Sequence, residues 1–287
     1  MKRLRLSGLP QPAQDWLERA ILDLRSIGGH RDYTKFVIVG IARTGSAVLL
    51  DLLNSNRQVL AFGELFRTPE AIGWDIRPFG GSYDRRFLPK YRTDPRAFID
   101  DVVFGPRPPV VRAVGFKLFY YHAQEAPFSD VWTRIVGDRN MRIIHLMRRN
   151  ILAQFASLKL AHQTQVWSAT RKTAARTEPI RLTPEECRRH FEHVRHYERE
   201  CDALFGDHQK LSIYYEDLVR TKEAEMMRVL DFLRVRAEPG SNTKLVRQRT
   251  VPLSKAIANF SELCAAFRNS EWEAFCEVDS DENKIIQ

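Results

Sequence analysis

The stretch KFVIVGIARTGSAVLLDLLNSNRQVLAFGELF, Lys35 to Phe66, decides the fold. Its opening run, Phe36-Val37-Ile38-Val39, is apolar, β-branched and short, and it ends at Gly40, so it reads as a buried strand. A turn of small and polar residues follows, Ala42-Arg43-Thr44-Gly45-Ser46. Val48, Leu49, Leu52 and Leu53 then recur at helical spacing and give a helix with one buried face. Strand, small-residue loop and helix together aim free backbone N–H groups at an anion. Gly40 and Gly45 have the separation of a nucleotide-binding P-loop, yet Ser46 stands where the loop's Lys should follow Gly45. Arg43 brings a positive charge earlier instead. The pattern fits a phosphate-bearing ligand other than a conventional Mg²⁺ triphosphate; the plain alternative is a tight turn carrying an incidental Arg.

Outward from this stretch, strands and helices alternate. Gln58 to Phe62, Val110 to Tyr121, Met141 to Met147 and Leu211 to Tyr215 read as strands. The Met141 run is apolar on both faces, as in a parallel sheet covered by helices. Phe128 to Val136 suits a short helix, and Thr183-Pro184-Glu185-Glu186 opens a longer one with a capping box. The expected fold is α/β, a P-loop-like three-layer sandwich with a central parallel sheet flanked by helices. Residues 1–34 form a polar arm whose amphipathic helix, Pro12 to Ile27, packs on the domain or pairs with a second copy as a homodimer. Residues 35–287 form one domain, with an irregular insertion at about 67–109 rich in Pro and Gly. Trp74, Phe79, Tyr83, Phe87 and Tyr91 in that insertion either offer faces to a sugar ring or pin the insertion to the core.

A second motif lies at the end of the Met141 strand. Arg148-Arg149-Asn150 precedes a helix, and Ser157 follows Arg149 by eight residues. A guanidinium fork plus a hydroxyl suits a dianionic phosphate. A basic first turn opposes the helix dipole, which also favours a nearby anion. The alternative is a solvated basic helix start with Ser157 bonded to its own backbone. Glu238 to Ser254 is irregular and cationic, with Lys244, Arg247 and Arg249.

Arg43-Thr44-Gly45-Ser46 with its apolar helix, then Phe62-Gly63-Glu64-Leu65-Phe66, resembles the 5′-phosphosulfate loop of sulfotransferases that use 3′-phosphoadenosine 5′-phosphosulfate (PAPS). Bacterial carbohydrate sulfotransferases of the nodulation-factor and trehalose-glycolipid types are the nearest in kind. The resemblance implies the sulfotransferase fold and a donor site made of Arg43, Thr44, Gly45, Ser46 and Ala47. Ala47 stands where the family often has a second hydroxyl. Arg149 and Ser157 match the family's 3′-phosphate signature, with Arg148 adjacent and Arg249 offered by the basic C-terminal segment. The resemblance further implies Glu64 as the general base, His122 as its competitor and Lys117 as the group that steadies the sulfuryl in transfer. The acceptor would be a carbohydrate, a glycolipid or another small hydroxyl compound, and no metal is called for. His145, inside an apolar strand, reads as a satisfied core residue.

The 287 residues, 44% of them apolar, can bury a sizeable core. The net charge of +9 suits a polyanionic ligand, an acidic membrane or nucleic acid alike. Its spread along the chain argues against a nucleic-acid partner. The four cysteines form no C-x-x-C pair, which argues against a zinc or redox motif, and Cys187 and Cys201 read as buried thiols. No run approaches the roughly 20 apolar residues of a membrane span, nor does a signal peptide follow the basic N-terminus, so a cytoplasmic protein is expected. The rival reading, a P-loop-like nucleotide or sugar kinase, predicts a Lys after Gly45 and an Asp to hold Mg²⁺, and neither is evident.

Overall fold

The strand at the head of the quoted stretch, β1 (Thr34–Gly40), is the middle of a five-stranded sheet. Its register runs Phe36 against Arg142 on one side and against Gly115 on the other, parallel to both neighbours. The computed structural model describes residues 28–75, 82–167, 169–170, 178–237, 245–246 and 252–277. In chain order the other strands are β2 (Val59–Phe62), β3 (Ala113–Phe119), β4 (Arg142–Met147), β5 (Ala169–Thr170), β6 (Lys210–Tyr214) and β7 (Leu245–Val246). The large sheet has the order β2-β3-β1-β4-β6 with every pairing parallel; β5 and β7 pair antiparallel on their own. The chain moves to one side of β1 for β2 and β3 and to the other for β4. The crevice at the carboxyl end of β1 is therefore the switch point where α/β sheets bind ligands.

The helices are α1 (Ser46–Asn54), α2 (Ser82–Thr93), α3 (Pro95–Phe98), α4 (Asp130–Val136), α5 (Ile151–Thr164), α6 (Pro184–Leu204), α7 (Tyr215–Arg220), α8 (Lys222–Phe232), α9 (Leu253–Ala256) and α10 (Phe260–Phe267). Successive residues of β1 feed opposite cores. Phe36 and Ile38 join Leu49, Leu53 and Leu230 on one face, whereas Val37 and Val39 join Ile151, Phe155 and Phe191 on the other. That alternation makes the three layers, and both faces of the sheet are covered as a parallel sheet requires. The capping box at Thr183 forms as expected, with its hydroxyl accepting from Glu186 N–H and the Glu186 carboxylate accepting in return. His145 bonds Tyr120 Oη at 2.6 Å and lies 3.2 Å from Asp202, so it is a satisfied core group.

The stretch expected to be irregular is largely helical. Asp94 caps α3 by accepting from Ala97 N–H, and Pro95 occupies the first turn, where its missing N–H costs nothing. Five residues of π-helix, Ile99–Val103, continue from it. Trp74 and Tyr91 are buried in an aromatic cluster with Phe66 and Phe98, and the Tyr91 hydroxyl donates to Leu65 C=O at 2.6 Å. Phe87 packs against the same core. These rings therefore pin the insertion to the core, together with Ile72, Ile99, Val102 and Val103. Phe79 lies outside the described residues, as do the helix of the N-terminal arm, Lys244, Arg247 and Arg249. Among the described residues no helix is long and apolar enough to cross a membrane. The strand expected over Val110 to Tyr121 is confined to β3, and Tyr120, Tyr121 and His122 form the turn that follows it.

Candidate active site

The loop between β1 and α1 is held in a conformation that few residues tolerate. Arg43 and Gly45 both lie in the left-handed region, at φ 69° and 83°, and Gly45 is the N-cap of α1. A Cβ on Gly45 would come within 2.6 Å of the Tyr215 ring, so glycine is required by space as well as by φ. No side chain caps α1. Its first N–H groups, with the alternating backbone before them, form a nest for an anion. The Thr44 hydroxyl donates to Ile41 C=O at 2.7 Å and so braces the loop from inside. Ser46 is buried at the head of the helix. Burial and the adjacent Arg148 charge pull the Arg43 guanidinium below its ordinary value.

Residues of the two motifs meet here. Arg43 Nε donates to Ser157 Oγ at 3.0 Å, and Arg43 also donates to Trp167 C=O. Arg148 is buried, lies 4.4 Å over the Tyr215 ring and donates from Nη1 to Arg43 C=O at 3.3 Å. Arg149 turns elsewhere. It makes a bidentate pair with Asp217 at 2.8 and 2.7 Å, and its guanidinium lies 4.1 Å over Tyr214. The expected meeting of Arg149 with Ser157 is replaced by Arg43 with Ser157, because Asp217 offers the fork a matching carboxylate. The hydrogen bonds to Asp217 raise the Arg149 pKa, and those from Arg149 lower the Asp217 pKa. Glu216 receives the N–H groups of Arg149 and Asn150 at 3.0 and 3.2 Å, while Asn150 caps α5 by accepting from Ala153 N–H.

On the neighbouring strands, Glu64 just past β2 faces Lys117 of β3, with Oε1 3.0 Å from Nζ. Its Oε2 is 3.8 Å from His122 Nε2. Burial outweighs the nearby carboxylate and pushes His122 down to about 4. Its Nδ1 accepts from Phe119 N–H at 3.3 Å, so the neutral ring carries its proton on Nε2 and turns a donor toward Glu64. Tyr121 lies in the turn after β3, and burial, with the Glu64 charge adding to it, raises its phenol. Thus Arg43, Ser157, Arg148 and the loop stand together, and Glu64, Lys117 and His122 stand together. Sequence reading missed Gln154. Gln154 was within reach, since it precedes Ser157 by three residues and shares its helix face.

A match to the sulfotransferase family covers residues 139–239, which hold β4, the double Arg, Ser157 and β6. Nodulation protein H of Rhizobium tropici is 30% identical over 251 residues, spanning 85% of this chain and 93% of that protein. The chain belongs to the sulfotransferase family. Nodulation protein H of Rhizobium meliloti strain 1021 is 28% identical to this sulfotransferase over 248 residues, 86% of the chain and 96% of the relative. A solved sulfotransferase from Alicyclobacillus acidocaldarius is 19% identical with a TM-score of 0.42, covering 87% of this chain and 98% of its own. The protein is thus an enzyme of sulfate transfer. Among its described residues, no group of three His, Cys, Asp or Glu side chains is arranged to hold a metal ion.

Proposed function

We propose that the sulfotransferase moves the sulfuryl group of PAPS to a hydroxyl of a carbohydrate or glycolipid acceptor, with Glu64 as general base. The donor class rests on the loop: a nest of N–H groups at the head of α1 and Arg43 beside it fit a 5′-phosphate. The acceptor class rests on the resemblance of both motifs to bacterial carbohydrate sulfotransferases, and the reading places the enzyme in the cytosol, where PAPS is made. When bound, PAPS supplies an activated sulfuryl group on a phosphate that can leave.

The observation that carries the reading is the split environment of the Glu64 carboxylate. Lys117 holds Oε1 at 3.0 Å, while the other oxygen faces a neutral His122 whose acceptor nitrogen is already engaged. Oε2 is the atom that accepts the proton of the attacking hydroxyl, since His122 Nε2 has no lone pair to offer in this tautomer. Lys117 meets the negative charge of the group in flight. Arg43, Ser46 and the N–H groups of Gly45, Ser46 and Ala47 take up charge on the departing phosphate. Ala47 contributes backbone alone. Arg149 with Ser157 receives the 3′-phosphate. Its guanidinium is 48% exposed in the pair with Asp217, so an incoming dianion can reach it and compete with that carboxylate. Arg148 stays inside as the brace of the loop, and Arg249 adds charge from the C-terminal segment.

The test is transfer of ³⁵S from labelled PAPS to a panel of neutral and lipid-linked oligosaccharides. Labelled glycan formed by the wild type, and lost in Glu64→Gln, is the expected result. Full turnover in Glu64→Gln would remove Glu64 as the base, and label passing to none of the glycans would remove the acceptor class.

A further inference from the structure

A side chain that the reaction does not use grips the residue next to Arg43, and a second holds the first. Gln154 on α5 is buried, 1% exposed, and its Nε2 donates to Ala42 C=O at 2.6 Å. Its Oε1 lies 2.6 Å from His190 Nε2 on α6. The amide can face only one way, because the reverse would set its oxygen against the Ala42 carbonyl oxygen. His190 must then donate from Nε2 to Gln154. Burial, with His193 and Lys159 adding to it, pushes His190 down to about 4, so the ring is neutral at ordinary pH. Phe155 stacks on the ring with centroids 4.2 Å apart and planes 17° from parallel, which fixes its orientation.

The relay ends where the loop is most strained. A non-glycine residue in the left-handed region costs about 1–2 kcal/mol and persists only where its surroundings over-determine it. Arg43 at φ 69° is fixed on three sides: Gln154 holds the carbonyl before it, Arg148 holds its own carbonyl, and Ser157 holds its side chain. Gln154 and Ser157 are three residues apart on one face of α5, so a single helix face grips residues 42 and 43 in succession. Without the Gln154 bond the peptide between Ala42 and Arg43 loses one of its three restraints, which lowers the barrier to relaxation of Arg43 out of the left-handed region.

We propose that Gln154 and His190 are positioning residues for the donor, a buried relay from α6 that keeps the loop at residues 42–46 shaped for a 5′-phosphate. The inference rests on the donor reading above. Its test is calorimetric titration of folded wild type, Gln154→Leu, His190→Phe and His190→Gln, with 3′-phosphoadenosine 5′-phosphate, adenosine 5′-monophosphate and adenosine 3′-monophosphate as the probes. Gln154→Leu and His190→Phe are expected to weaken both 5′-phosphorylated nucleotides about 10- to 100-fold, the loss of one to two well-made hydrogen bonds with their strain relief, and to leave adenosine 3′-monophosphate within about 3-fold. His190→Gln, which keeps an N–H donor, is expected to recover most of the affinity. His190→Phe retains the stack on Phe155, so it reports even if Gln154→Leu fails to fold. Unchanged affinity in either folded variant, or equal losses for the 5′- and 3′-monophosphates, overturns the relay while leaving the donor reading intact. Wild type that binds none of the 5′-phosphorylated nucleotides overturns both.

Discussion

The loop at residues 43–46 and the carboxylate of Glu64 are held by different means. The loop is shaped by backbone: two left-handed residues, a glycine with no room for a Cβ, and buried side chains spent on bracing it. Glu64 is shaped by charge and by tautomer: an ion pair on one oxygen and a neutral ring near the other. The contrast teaches that the two sides should fail differently. Damage to the loop should appear as lost donor affinity, because the nest exists before any ligand arrives. Damage at Glu64 should appear as lost rate, because proton removal matters only as the acceptor attacks.

The largest effect is expected on the charged side. Glu64→Gln should lower kcat by about 10²- to 10⁴-fold and change affinity for 3′-phosphoadenosine 5′-phosphate by less than about 3-fold, measured by ³⁵S transfer and calorimetry on the same preparation. A large affinity loss with kcat preserved would reverse the assignment of the two sides. On the backbone side, Gly45→Ala should weaken the same nucleotide by about tenfold or more, since a Cβ there meets Tyr215 and a left-handed φ costs about 1–2 kcal/mol. Unaltered affinity in folded Gly45→Ala would show that the loop is softer than its φ values imply.

A smaller effect is expected at His122. With its Nδ1 engaged and its pKa near 4, it is neutral through the working range. His122→Gln should therefore cost less than about tenfold in kcat, against the general-base contribution cited above, and leave the acid limb of the rate profile in place. Loss on the scale of Glu64→Gln would make His122 the base.

His122, His145 and His190 also share a stability signature, each pushed by burial to about 4 from 6.5. Between those values the unfolded chain binds more protons than the folded one. Stability contributed by the neutral rings is thus complete above pH 6.5 and is lost as pH falls toward 4, by at most about 1.4 kcal/mol per pH unit for each ring. Melting curves at pH 7 and pH 5 should show the decline, and His122→Gln should reduce it. A melting temperature unchanged between those pH values would contradict the neutral assignment.

Much of the architecture was legible in the sequence because it rests on local rules. The β-branched run ending at Gly40, the helical spacing from Val48 to Leu53 and the capping box at Thr183 each appear where their residues put them. The insertion differs from its reading for a physical reason: Pro95 looks like a breaker in a Pro-rich stretch, yet behind Asp94 it starts a helix, and Trp74, Phe87 and Tyr91 pack on the core. At the site, residue types and spacing located Arg43, Ser157 and Glu64 but not their partners. That Arg149 pairs with Asp217, or that Gln154 reaches Ala42, depends on contacts 68 and 112 residues apart in sequence, which no local pattern records.

The measurement that tests the donor assignment most directly is calorimetric titration with 3′-phosphoadenosine 5′-phosphate against ATP and AMP, in wild type and Arg149→Ala. Preference for the 3′-phosphorylated nucleotide, reduced about tenfold or more in the variant while AMP binding is kept, is the expected outcome for a guanidinium that exchanges Asp217 for a phosphate. Preference for ATP with Mg²⁺, or equal binding of the 3′-phosphorylated nucleotide by both proteins, would contradict the account.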